Sequence, residues 1–157
     1  MPILMRHNEA LELTRIDIFG QLLSEHVRSY GAYGVANPHW AEFDTMTFVA
    51  GDTDVSAITP AHIDGFFNAF GGILRASNKM VRRRTGWVCD NAICVAALNL
   101  WLAKRNAGCE PDTQVRLFAT GEAASQWLLL NPEAAAALGS GQGFTELARF
   151  DSAPPTR

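Results

Sequence analysis

The chain has 157 residues, 48% of them hydrophobic and 18% charged, with a formal net charge of -3. That length suits one domain around one core, and the composition excludes a disordered chain. The mild acidity excludes global attraction to nucleic acid or anionic lipid, and no uncharged apolar run reaches the roughly 20 residues that a membrane span needs.

In chain order, Leu11 to Phe19 predicts one or two edge strands with a phase slip near Arg15, ended by Gly20. A helix follows from Leu22, with Leu23, Val27, Tyr30 and Ala32 on one face, and stops by Gly34 or before Asn37-Pro38. After the loop NPHWAEF comes a covered strand, Thr45 to Ala50. Thr59 as cap and Pro60 at the first helical position open the next helix, whose Ile63, Phe66, Phe67, Phe70, Ile73 and Leu74 share an apolar face. Gly71-Gly72 inside it predicts a close approach by another element.

Arg82, Arg83 and Arg84 lead into the strand Thr85 to Cys89, and Asp90 or Asn91 caps a nearly all-apolar helix over 92–103. That helix is expected to be central or at an interface. Its end carries Lys104, Arg105 and Gly108, which suit the negative end of a helix dipole and a left-handed terminator. Pro111-Asp112 turns the chain into the strand Val115 to Phe118. The helices Glu122 to Leu130 and Pro132 to Leu138 follow, the second capped by Asn131.

Strands alternating with helices must pair mostly in parallel through right-handed crossovers. The expected architecture is α/β: a small mixed, mostly parallel sheet of four to five strands covered by helices. Residues 1–139 form the domain in this scheme, and 140–157 a tail that is weakly ordered or docked through Phe144, Leu147 and Phe150.

Three segments, ANPHWAEFDTMTFVAGDTDVSAITPAHID, RRRTGWVCDN and VRLFATGEAASQWLLL, together resemble the STAS-like proteins of the sporulation anti-sigma-factor-antagonist-like (SpoIIAA-like) group. The resemblance spans roughly Leu11 to Leu130. It implies a non-enzymatic module that acts through protein partners or carries a small nonpolar, lipid-like ligand. In the regulatory branch a phosphorylatable residue sits where a strand turns into a helix, because a helix N-terminus accommodates phosphate. The corresponding turn here is Gly51 to Ser56, with Thr53 or Ser56 in that role, although the tandem Ser-Gly signature is missing and Asp52 and Asp54 would repel a phosphate. Plain capping and solvation of a strand end is the competing account of the same turn.

The remaining residues narrow the chemistry. Cys89, Cys94 and Cys109 form neither an even disulfide set nor a C-x-x-C pair, which fits reduced thiols and a cytoplasmic location. The N-terminus has too short an apolar stretch for a signal-peptide core. His7, His26, His39 and His62 lack metal spacing, and no phosphate-binding loop or nucleophile elbow occurs, so no metal, cofactor or catalytic residue is expected. Arg75, Lys79, Arg82, Arg83 and Arg84 are the concentrated positive charge, suited either to an acidic partner or phosphate or to a solvated connector. Phe66, Phe67 and Phe70, with Trp101 and Trp127, either line a nonpolar pocket or are core.

The expected protein is therefore a cytoplasmic homodimer that binds a protein partner or a small nonpolar ligand, without nucleic acid or stable membrane insertion. A small enzyme with an acidic strand-end site at Asp52 and Asp54, or a purely structural assembly subunit, is the alternative.

Overall fold

The alternating pattern folds into one sheet with helices on both faces. The computed structural model describes residues 2–76, 83–107 and 113–151. The strands are β1 (Ile3–Asn8), β2 (Leu13–Ile18), β3 (Asp44–Val49), β4 (Arg83–Val88), β5 (Thr113–Phe118) and β6 (Thr145–Phe150). Between them lie α1 (Ser24–Ala36), a 3-10 turn (Pro38–Glu42), α2 (Pro60–Ala76), α3 (Ala92–Ala107), α4 (Gly121–Trp127) and α5 (Pro132–Ser140). The sheet order is β5-β4-β3-β2-β1-β6, parallel from β2 through β5 and antiparallel around β1.

Stepping always in one direction, the three parallel crossovers lay α1, α2 and α3 on one face. Tyr30 of α1 stacks on Phe66 of α2, and Trp101 of α3 meets Trp87 of β4 edge-on. Their shared core contains Ile3, Met5, Ile16, Ile18, Leu22 and Phe150. The return connection from β5 to β6 runs the other way, so α4 and α5 cover the opposite face around Leu13, Met46, Ala124, Leu128 and Leu138. Successive strand residues feed the two cores alternately.

The α/β, mostly parallel architecture stands as expected, but the sheet has six strands rather than four to five. β1 comes from the N-terminal segment, and β6 from the stretch expected to be a tail. β6 is inconspicuous in sequence because it is a peripheral strand whose Thr145, Glu146 and Arg149 are exposed. β2 is a single central strand, not an edge with a slipped phase. Arg15 keeps the alternation, on a covered face where it binds Asp17 at 2.7 Å. An added Cβ at Gly72 meets nothing within 4 Å, so the close approach expected at the glycine pair is absent there and the helix runs through both residues. Ala32 is exposed, and Leu22 is buried from the loop before α1.

Caps follow the sequence closely. Asn131 Oδ1 accepts from Ala134 N at 2.8 Å, Thr120 Oγ1 from Ala123 N at 3.2 Å and Asn91 Oδ1 from Ile93 N at 3.0 Å. Both α1 and α2 add a histidine in their first turn. Leu23 N donates to His26 Nδ1 at 3.0 Å, and Thr59 N donates to His62 Nδ1 at 3.2 Å. The ring nitrogen must be unprotonated to accept.

His26 is 2% exposed, and burial holds its pKa below the usual 6.5, opposed in part by Glu25. The unfolded chain therefore binds the proton more readily than the native one. The stability contributed by the neutral ring is complete above pH 6.5 and is lost as the pH falls through that value toward the lowered native pKa. His26→Gln keeps an acceptor at the same position and does not titrate. Urea melts between pH 7.5 and 5 are expected to show a shallower loss for this variant than for the wild type, with the part due to His7, whose pKa burial also lowers, remaining.

Candidate functional site

The parallel strands end on the side where Gly51 to Ser56 follows β3. This loop is tied at every turn. Thr53 is 5% exposed, and its hydroxyl donates to Ile18 O at 3.1 Å. Asn91 Nδ2 donates to Gly51 O at 3.0 Å, and Cys94 Sγ contacts Thr53 O at 3.8 Å. Asp54 N donates to Gly20 O at 3.0 Å, and Leu22 N returns a bond to Asp54 O at 2.9 Å. The loop thus latches the ends of β2, β3 and β4 together.

Of the two hydroxyls the sequence offers for phosphorylation, Thr53 is engaged in this latch and Ser56 is exposed. Ser56 N donates to Asp54 Oδ1 at 2.9 Å, and this bond, followed by one from the Ser56 hydroxyl, holds the Asp54 carboxyl below the usual carboxylate range. Asp52 is exposed. Among the described residues no three His, Cys, Asp or Glu side chains converge to hold a metal ion. Cys89 and Cys94 are each 3% exposed, and burial pushes the Cys94 thiol up to about 11, far from a reactive thiolate.

The arginine run is split between the two faces. Arg83, 7% exposed, donates to Ala41 O at 3.0 Å and Thr45 Oγ1 at 3.3 Å on the α1 side. Arg84 points to the α4 side, where its Nη2 and Nε bind Asp44 Oδ2 at 2.7 and 2.9 Å. Both guanidinium groups are therefore committed within the fold. Lys79 and Arg82, and the side chains of Phe67, Phe70 and Arg75, lie outside the described residues.

Phe66 is a helix-to-helix contact. It stacks on Tyr30 at 5.7 Å, and a Cβ added at Gly31 would lie 3.7 Å from its ring. Trp127 sits on the opposite face, 5.3 Å from Phe118, so it shares no pocket with Phe66 or Trp101. Beneath α1, Met5, Thr14, Tyr30, Trp40, Thr45 and Arg83 enclose a cavity of about 20 Å³. That is room for one water molecule, against the several hundred Å³ that a small ligand requires. Burial pushes the Tyr30 hydroxyl beside it up to about 12, the Arg83 charge opposing, so this phenol stays neutral.

The sequence expected the 92–103 helix at the centre or at an interface, and among the described residues it carries two of the four exposed large hydrophobic side chains, the others being Val35 and Leu129. Cys94 is buried, while Ile93 is 72% and Leu100 46% exposed. Ala96 and Ala103, also exposed, complete an apolar stripe at i, i+3, i+7 and i+10. α3 meets β4 through Trp101 and Trp87 at one end of its layer, and β5 is the last strand on that side.

Comparison with known proteins finds no matching family model, no matching curated protein and no matching solved structure.

Proposed function

We propose that this chain is a non-catalytic protein-association module and that the outer side of α3 is its docking face. The observation that carries this reading is the exposure of Ile93 and Leu100 on a helix whose other side is anchored by buried Cys94. Scattered apolar residues are ordinary on a protein surface, but a continuous stripe along a helix costs solvation that a partner would relieve. One further feature favours association over a strand-end catalytic site: in the acidic loop after β3, the Thr53 hydroxyl and the backbone of Asp54 hold strand ends together. The motif resemblance to STAS-like proteins, which include regulators that work by binding other proteins, agrees with this role.

The test is mass in solution. Light scattering over a concentration series should give the wild type a mass that rises above the single-chain 17.1 kDa. Ile93→Asp combined with Leu100→Asp should stay at the single-chain mass with an unchanged circular-dichroism spectrum, because both positions face solvent in the isolated fold. A wild type that remains monomeric throughout, indistinguishable from the double variant, would remove α3 as a self-association surface.

A further inference from the structure

The nature of the partner follows from the two ends of the sheet, given the docking reading above. β6 closes one end and β5 the other. The β6 end is protected. Its pairing with β1 shifts register between Met5 and Arg6, and it carries exposed Glu146 and Arg149, which bind each other at 2.7 Å. Bulges and charges are the devices by which natural sheets avoid edge pairing.

β5 has none of the first device and little of the second. It runs in unbroken register with β4 from Arg83↔Thr113 to Val88↔Phe118, and TQVRLF contains neither proline nor lysine. Its one charged residue, Arg116, lies across the Trp127 ring, 5.6 Å from its centre.

The orientation of the β5 backbone can be read from one bond. Cys89 N donates to Phe118 O at 3.0 Å, so Phe118, and with it Arg116 and Gln114 at alternate positions, turn their backbone groups toward β4. The N–H and C=O of Val115 and Leu117 consequently point away from the sheet. Among the described residues no strand pairs with that side.

We infer that β5 of a second copy of this chain takes this edge, running antiparallel about a two-fold axis at Val115. An axis normal to the sheet requires opposed residues to share a face, so it must pass through a residue and not between two. Centring on Arg116 would set two like charges opposite each other. Centring on Val115 sets Gln114 opposite Arg116 of the partner subunit, an acceptor facing a cation, and closes two reciprocal backbone bonds between the Val115 residues. Pairing β5 with the other sheet end of a second copy would meet the bulge and the charges of β6 and would not close. The same axis keeps both α3 helices on one face beside the seam. The dimer then carries the apolar stripes of both copies on the same face of one continuous sheet. Six residues per copy in β5, or ten with the four of the stripe, are at most half of the roughly 20–30 of a standard interface, so the dimer should be weak and concentration-dependent.

Val115→Pro is the direct test, since it deletes an outward N–H and leaves the bonds to β4 in place. The variant is expected to keep the wild-type circular-dichroism spectrum and to remain at 17.1 kDa at concentrations where the wild type is assembled. Independently, the wild-type Val115 and Leu117 amides should exchange more than about tenfold faster on dilution from assembled to monomeric protein, as read by NMR. This second measurement decides the matter if Val115→Pro fails to fold. Assembly that survives Val115→Pro, or amides that stay unprotected in the assembled wild type, would overturn edge pairing while leaving the α3 docking face standing. A wild type with no assembly at all overturns edge pairing and removes α3 as a self-association surface.

Discussion

Arg15→Met should lower the unfolding free energy by about 3 kcal/mol, the scale of breaking a buried charge pair by removing one partner. Arg15 is 8% exposed in the central strand β2, and its Nε and Nη2 bind Asp17 at 2.7–3.1 Å. Its Nη1 donates to the carbonyls of Leu138 and Gly139 (2.8 Å to the latter) at the end of α5, and the guanidinium lies 4.2 Å from the centre of the Phe48 ring. One side chain thus satisfies the carbonyl end of a helix and neutralises a carboxylate on a covered face. Methionine fills much of the volume and supplies neither service. Urea denaturation with an unchanged m-value is the measurement, and a loss under about 1 kcal/mol would show the cluster to be dispensable. Adding Asp17→Leu should return part of the loss, because the stranded carboxylate goes and Arg6, bound to it at 2.6 Å, has a side chain already 21% exposed to water.

A second large effect is expected where β4 passes β3. A Cβ at Gly86 would collide with Met46 Cε and lie 2.7 Å from its Sδ and 3.3 Å from Phe118 Cε2, and Met46 is 0% exposed. Gly86→Val should cost about 2–3 kcal/mol by overpacking, and Met46→Ala on the order of 3 kcal/mol by leaving a cavity. The two changes occupy the same space. The double variant should therefore fall short of the sum by about 1–2 kcal/mol, a coupling that a double-mutant cycle reads directly. Additive costs would mean that Met46 does not fill the notch left by the glycine.

These two cases also show what could be read along the chain. The helix starts were legible because a cap acts over three or four residues: Thr59 with Pro60, Asn91, and Asn131 with Pro132 all occupy the positions expected of them. The strands β3, β4 and β5 were legible as short β-runs between turn signals and helix caps. β6 was not, because a peripheral strand with one solvated face looks like a polar tail until β1 is beside it. Arg15 looked like a break in phase because a buried cation resembles an exposed one when its carboxylate and its helix end are unknown. Among candidate site residues, Asp52 and Ser56 are exposed as the turn suggested. Thr53, Arg83 and Arg84 were drawn into internal bonds by partners 35 to 42 residues away in the chain.

The amino-acid sequence alone determined the alternation of strand and helix, the parallel crossovers and an apolar helix over 92–103, since each depends on periodicity and caps within a few neighbouring residues. Only the tertiary structure decided that the sheet has six strands with β2 at its centre, that the arginine run divides between two faces, and that the apolar helix turns Ile93 and Leu100 outward. Those outcomes depend on which distant segments meet, and a strand or a charge declares its environment only when the opposite side of the contact is in place.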